Sequence, residues 1–263
     1  MSKFPNANLV EVIVEAAMVK LAHRMAPHLT GYSHLQTNPK YSFDTKRTLS
    51  NARRYVVISK DLDPSFDTAK LCIKIPATWE GFEACRELEK EGITSLATAV
   101  TSMQQAMLAS HAGCTYIGCY INELRVHFDK LYEDKEKSFR TCGLSQRLYQ
   151  TQAQGTQVVA ASLTSIHEVM MLAGINHITV SPLLLQELDK TPADSWEGAI
   201  GSVFENTSSE AEDVDHGSIE EEAAWRLAFS MDQGGRSEAK LNDAIKLFSE
   251  KQESLENLVR SYI

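Results

Sequence analysis

Lys74 is the only charge in the run Leu71-Cys72-Ile73-Lys74-Ile75, and Pro76-Ala77-Thr78-Trp79 follows it directly. An aliphatic and β-branched run ending in a proline reads as a buried strand, so its lysine must carry the ammonium into a polar cavity or lose its proton. Burial disfavours the charged form and can lower a lysine pKa by several units from about 10.4, leaving a free amine at neutral pH. Such an amine attacks carbonyl carbons and forms Schiff bases. The same pattern also fits a lysine at a strand end that snorkels to water or pairs with a helix carboxylate.

In parallel α/β proteins chemistry collects at the C-terminal ends of strands. That rule nominates Gln36, Lys74, Thr98, Tyr120 with Asn122 and Glu123, Ser162 with Thr164, and Ser181. Taken singly, each of these except Lys74 also fits loop capping or a local turn hydrogen bond. Their recurrence where apolar strands open into loops points to a shared pocket.

The elements that must position them alternate along the chain. Asn8 followed three residues later by Glu11 predicts a capped helix, with Val10, Val12, Ile13, Ala17, Met18, Leu21 and Met25 on one face. Residues 31–36 read as extended, Thr45 to Val57 as a helix, and Lys70 to Ile75 as a strand. Thr78 to Glu91 is a helix stopped by Gly92, Ile93 to Ala99 a strand, and Ser102 to Ala112 a helix stopped by Gly113. Thr115 to Tyr120 is a strand, Asp129 to Gln154 is helical with a break at Gly143, and Gln157 to Ala161 is a strand. Ser165 to Ala173 is a helix, His177 to Val180 a strand, and Leu183 to Leu188 a short helix. Ile219 to Ser230 and Ser237 to Tyr262 are helical. Six strands alternating with helices predict parallel βαβ units, two strands fewer than a closed eight-stranded barrel needs.

The 263 residues suffice for one large core, and 43% hydrophobic with 23% charged residues describe an ordinary soluble chain. A formal charge of -9 with no offsetting basic stripe argues against a nucleic-acid surface. The acidic run from Glu210 to Glu222 reads as a solvated loop leading into a helix. No stretch of uninterrupted apolar residues is long enough to span a membrane, and Met1 to Asn8 lacks a secretory apolar region, so a cytoplasmic location is expected. Cys72, Cys85, Cys114, Cys119 and Cys142 have no C-x-x-C spacing and read as free thiols, with no metal site and no call for a cofactor.

The segment Ile73-Lys74-Ile75-Pro76-Ala77-Thr78-Trp79-Glu80-Gly81, followed by Leu88-Glu89-Lys90-Glu91-Gly92-Ile93, closely resembles the Schiff-base strand and following helix of transaldolases. The similarity continues through Ala97-Thr98, Ser102, Gln105-Ala106, His111-Ala112-Gly113, Val159-Ala160-Ala161-Ser162, Ala173-Gly174 and Ile178-Thr179-Val180-Ser181-Pro182-Leu183-Leu184. It reaches Lys246-Leu247-Phe248 and Gln252-Glu253 near the C-terminus. The resemblance implies one transaldolase-like α/β domain over residues 1–263, an incomplete (β/α) barrel with C-terminal helices. It also implies that Lys74 is the nucleophile toward a ketose carbonyl, that Thr98 helps place the catalytic water, that Ser162 is a pocket serine, and that Tyr120 lies beside the substrate.

The departures from the family are specific. The chain is expected to begin in the helix after the family's second strand, so the strands carrying its general-base aspartate and a substrate-binding asparagine have no counterpart. Gln36 stands at the position of the catalytic glutamate, Leu96 replaces a pocket asparagine, and Glu123 and Thr164 replace two arginines that bind the sugar phosphate. An arginine grips a phosphate through a bidentate fork, whereas Glu123 would repel it. Gln36 cannot act as an acid or base at neutral pH, which leaves Glu123 as a candidate base and Tyr120 as a hydrogen-bond donor to a carbonyl oxygen. Three readings follow: a lysine enzyme acting on an unphosphorylated ketone or aldehyde, a lysine-assisted cyclase or isomerase without a Schiff base, and a catalytically silent binding protein. An open sheet leaves edges and apolar surface to be covered, so a homodimer is expected.

Overall fold

The computed structural model describes residues 4, 7–196, 201–204 and 220–263. Most of the acidic run, residues 210–219, therefore lies outside the described residues. Six strands form one sheet in sequence order: β1 (Ser33–Gln36), β2 (Leu71–Pro76), β3 (Ser95–Val100), β4 (Tyr116–Tyr120), β5 (Gln157–Ala161) and β6 (His177–Ile178). The sheet is parallel and does not close, so β1 and β6 are its edges and the barrel wall is incomplete, as the strand count predicted. Helices α1 (Leu9–Met25), α2 (Thr45–Leu62), α3 (Trp79–Lys90), α4 (Met103–His111), α5 (Phe139–Thr151), α6 (Ile166–Met171), α7 (Pro182–Lys190), α8 (Glu222–Met231) and α9 (Arg236–Arg260) complete the described elements. Two compact units are distinguished, Met1–Ala97 with Ile245–Ile263, and Thr98–Ala244.

In the first unit, Asn8 and Glu11 cap α1 reciprocally: the Asn8 side chain accepts from the Glu11 amide at 3.0 Å and Glu11 accepts from the Asn8 amide at 3.1 Å. The face that α1 buries differs from the apolar stripe read from the sequence. Glu11, Val14, Glu15, Val19 and Ala22 are buried, whereas Leu21 and Met25 are exposed. The physical reason stands on α2. Arg54 grips Glu15 with Nε at 2.9 Å and Nη2 at 2.6 Å, and the Asn51 amide adds a bond to the same carboxylate at 2.7 Å. The Tyr41 hydroxyl donates to Glu11. Two acids can be buried because each has its donors, and a hydrophobic count cannot see such a face.

β2 leads into α3 through a turn that its residue types fix. Leu71, Cys72, Ile73 and Ile75 are buried, and the Thr37 amide donates to the Lys74 carbonyl at 2.9 Å as β1 leaves the sheet. Thr78 caps α3 by accepting from the Gly81 amide at 2.9 Å, and its hydroxyl donates to the Ser42 carbonyl. Gly81 must be glycine: a Cβ there would lie 2.1 Å from the Pro76 carbonyl oxygen, a backbone atom that cannot swing aside.

In the second unit, β3 leaves the sheet through Ala99, whose φ of 62° is unusual for a residue with a side chain. Gln105, fully buried, holds this exit: its Oε1 accepts from the Thr101 amide at 2.9 Å and its Nε2 donates to the Ala99 carbonyl at 3.3 Å. The expected helix over 129–154 shortens to α5. Asp134 accepts from the amides of Glu136 and Glu123 at 2.8 Å each, so a short polar side chain bonds the backbone in place of a helical ladder. Gly143 does not break α5, because its neighbours Cys142, Leu144 and Leu148 are buried and that packing outweighs the weak propensity of one glycine.

Gly81→Ala should therefore displace the β2–α3 turn. We expect a loss of about 1–3 kcal/mol in stability by urea unfolding, as for overpacked interiors. An unchanged midpoint would show that the turn tolerates the methyl group.

Candidate functional site

Lys74 is half-buried on β2. Its Cα partner across the ladder is Gln36, and that of Cys72 is His34. Side chains alternate along a strand and in-register neighbours share a face, so Gln36, Cys72 and Lys74 lie on one face while Leu35, Ile73 and Ile75 lie on the other. The Tyr55 hydroxyl, carried by α2, donates to the Gln36 carbonyl at 2.7 Å and fixes the strand end beside Lys74. Burial pushes the Cys72 thiol well above its ordinary pKa, so it behaves as an apolar neighbour of the lysine.

The remaining predicted residues belong to the second unit, which brings several of them together. The buried Thr98 hydroxyl donates to the Tyr120 oxygen at 3.3 Å, joining the C-terminal halves of β3 and β4. Asn122, two residues beyond Tyr120, donates to the Ser162 carbonyl at 2.8 Å and to Glu168 at 2.9 Å. Its own Oδ1 is buried with no hydrogen-bond partner among the described residues. Thr164 directs its amide and hydroxyl to Glu168 at 2.7 and 3.1 Å, so its hydroxyl is committed to that carboxylate. Ser181 stands apart from this group and caps α7 by accepting from the Leu184 amide.

Glu123 is held from three sides. Its amide donates to Asp134, its Oε2 accepts the Tyr132 hydroxyl at 2.6 Å, and its Oε1 lies 3.9 Å from the Lys240 ammonium. Lys240, buried on α9, is closer to Asp134 at 3.1 Å and donates to the Glu136 carbonyl at 2.6 Å. The hydrogen bond to Glu123, with burial behind it, pushes the Tyr132 phenol up to about 12. Arg125 stacks over the Tyr132 ring at 4.4 Å from its centroid and pairs with Asp129 at 2.8 Å.

Three residues outside the sequence reading enter this site. His127 places Nε2 2.9 Å from the Ser162 hydroxyl, and Ser162 itself sits at φ 61°, a strained conformation for serine. Burial lowers the His127 pKa against the opposing pull of Glu168, so the ring is neutral at pH 7. Glu168 is buried and Lys137 pairs with it at 2.8 Å. Burial works against the Glu168 charge, but the Lys137 pair and the bonds from Thr164 and Asn122 prevail and hold the carboxyl below its ordinary value. His127 lies outside the elements read from the sequence, and Lys137 lies in the part of the expected 129–154 helix that the structure does not form. Glu168 stands three residues after Ser165 in a capping-box spacing, which was the one available signal.

The group can position hydroxyl-bearing polar molecules through neutral donors and acceptors, and it carries one neutral imidazole able to move a proton. Among the described residues no cluster of His, Cys, Asp and Glu has the arrangement of a metal site, and no helix is long and apolar enough to cross a membrane.

A glutamate whose folded pKa is depressed stabilises the fold above its unfolded value, here 4.5, and that contribution is lost as the pH falls through the folded value. Glu168→Gln should cost about 1–3 kcal/mol at neutral pH. It should also flatten the fall in melting temperature between about pH 6 and about pH 3. A variant whose acid profile matches the parent's would show that Glu168 does not carry this dependence.

Residues 3–259 match the Transaldolase/Fructose-6-phosphate aldolase family. Among the most similar relatives, the transaldolase of Pseudoalteromonas atlantica is 27% identical over 234 residues, spanning 87% of this chain and 70% of that protein. The transaldolase of Alteromonas mediterranea is 27% identical over 248 residues, 92% of this chain and 74% of that protein. That of a Marinomonas species is 29% identical over 242 residues, 90% of this chain and 72% of that protein.

Proposed function

The chain belongs to the transaldolase/fructose-6-phosphate aldolase family, and from that premise we propose that it is a Schiff-base enzyme, acting as one domain, that makes or breaks a carbon–carbon bond of an unphosphorylated ketone or aldehyde. The observation that carries this reading is the intact lysine motif folded as a buried strand, with Lys74 as its one charged residue and the Thr78–Gly81 turn at its exit. In this mechanism the Lys74 amine attacks the carbonyl carbon to give a carbinolamine, which takes up a proton and loses water to leave an iminium ion. The iminium accepts the electron pair of the bond between its α and β carbons as that bond breaks to give an enamine, and the β-hydroxyl proton passes to a base as the aldehyde leaves. Protonation and hydrolysis of the enamine release the second product and free Lys74.

Two observations support an unphosphorylated substrate. Glu123 and Thr164, which stand where the sugar-phosphate arginines are expected, are engaged by Tyr132 and by Glu168. The neighbouring cations are engaged as well: Lys240 by Asp134, and Lys137 by Glu168. A phosphate dianion would meet carboxylates and neutral hydroxyls, which cannot offset its charge. Gln36, Asn122 and Ser162 suit substrate hydroxyls. We assign Thr98 and Tyr120 to placing water and the carbonyl oxygen, and proton transfer to the Ser162–His127 pair, because the Glu123 carboxylate already holds a phenol. Thr164 and Ser181 contribute by shaping the loops they cap.

Paired assays of ketoses and their phosphate esters test the reading. Turnover is expected for the unphosphorylated member of a pair, with Lys74→Ala inactive and His127→Ala about a hundredfold slower in kcat. Faster turnover of the phosphate ester, or an active Lys74→Ala, would overturn it.

We further propose that a second copy of the chain covers the open sheet, since among the described residues no strand pairs with the outer side of β1 or β6. Sedimentation equilibrium should give twice the chain mass, and a monomer at all concentrations would refute this.

A further inference from the structure

Away from the residues assigned to catalysis, the first unit holds a cavity of about 410 Å³ lined by Tyr41, Lys46, Arg47, Ser50 and Arg54. Three of its five lining residues are cations and none is an acid. The lining itself is thus positive in a chain of net charge -9, with acids only behind it. Lys46, Ser50 and Arg54 follow one another at four-residue intervals on α2, and Arg47 is one residue on, so four of the five share one helix face.

The cations are oriented in advance. Arg54 is locked by its two bonds to Glu15, and its Nη1 donates to the Ser50 hydroxyl at 3.1 Å, which leaves that hydroxyl's own proton to be directed elsewhere. Arg47 lies over the Tyr41 ring, with Cζ 3.8 Å from the centroid. Tyr41 donates to Glu11 and so cannot give its proton to a ligand, and burial with that bond pushes the phenol up to about 12, which keeps it uncharged.

Three carboxylates lie close by, and each is engaged. Glu15 is held by Arg54 and Asn51, Glu11 by Tyr41 and the Asn8 amide, and Asp44 accepts the Arg47 amide at the start of α2. Among the described residues neither Lys46 nor Arg47 forms an ion pair, although Arg53 on the same helix pairs with Glu91. An arginine stacked on a ring, a lysine and a hydroxyl around one cavity are the donors that a tetrahedral oxyanion takes.

We propose that this cavity binds a small phosphate dianion, either inorganic phosphate or the phosphate group of a compact monoester. The volume falls in the lower part of the range of about 300–1,000 Å³ typical of ligand sites, which admits a phosphorylated molecule of a few carbons and excludes a nucleotide-sized one. Arg47 supplies the planar fork, Lys46 a mobile point charge, and Ser50 a neutral donor. The site is separate from Lys74 and requires no catalytic role for it.

The test is titration of the intact protein with inorganic phosphate and with glycerol 3-phosphate, followed by phosphorus NMR and by calorimetry at constant ionic strength made up with chloride. Saturable binding of either probe is expected. The Lys46→Ala/Arg47→Ala double variant should bind about tenfold more weakly or not at all while keeping its circular-dichroism melting curve, because both side chains are exposed. If the double variant is unfolded, Lys46→Ala alone carries the test, with an expected loss of about threefold or more. Absence of saturable binding by the parent protein would overturn the proposal, as would affinity unchanged by these substitutions, since the phosphate would then be held elsewhere.

Discussion

A buried carboxylate must be given enough hydrogen-bond donors, cations foremost among them, to replace water, and both units of this protein are organised by that requirement. In the first unit Glu15 is met by Arg54 and Asn51, which fixes how α1 lies on α2. In the second, Glu168 gathers Lys137, Asn122 and Thr164, and Asp134 gathers Lys240 with the amides of Glu123 and Glu136. Each carboxylate of the second unit ties a loop at a strand end to another element. The loops that carry the candidate chemistry are thereby held by interactions that would be costly to break singly.

The same pairings underlie the proposed change of substrate. A phosphate-binding arginine needs free guanidinium donors at the substrate, and the corresponding positions here hold an acid and a threonine that bond within the protein. Lys137 and Lys240 bring positive charge into the region, but each is matched to a carboxylate at 2.8 and 3.1 Å. What is left to face a ligand is neutral: amide, hydroxyl, phenol and an imidazole whose pKa burial has lowered. Carbonyl chemistry on a different substrate, as proposed above, rests on family membership, the retained lysine and these engaged positions.

Much of the fold was legible because its signals are local. The Asn8–Glu11 capping box, the Thr78 and Ser102 caps, the stop at Gly92 and the apolar strand around Lys74 all fall within a few residues, and the structure shows them. The buried face of α1 was not legible, since its apolar count ignored two glutamates whose partners lie 36 to 39 residues away, or 30 for Glu11. The absent helix over 129–138 has the same origin, with Asp134 bonding a backbone amide eleven residues back. Gly143 misled in the opposite direction, because packing of its neighbours overrides propensity. At the candidate site, strand-end position nominated Thr98, Tyr120, Asn122 and Ser162, whereas His127 and Lys137 become visible only through partners 35 and 31 residues distant and Glu168 offered only its spacing from Ser165.

The central claim is that Lys74 forms a covalent bond with the carbonyl carbon of an unphosphorylated substrate. Borohydride reduction of the protein during incubation with dihydroxyacetone and related hydroxyketones, followed by intact-mass and peptide analysis, reads that bond directly. A reduced adduct is expected on the peptide containing Lys74 and is expected to be absent from Lys74→Ala. Lysine-dependent turnover of a carbonyl compound with no adduct at Lys74 would contradict it.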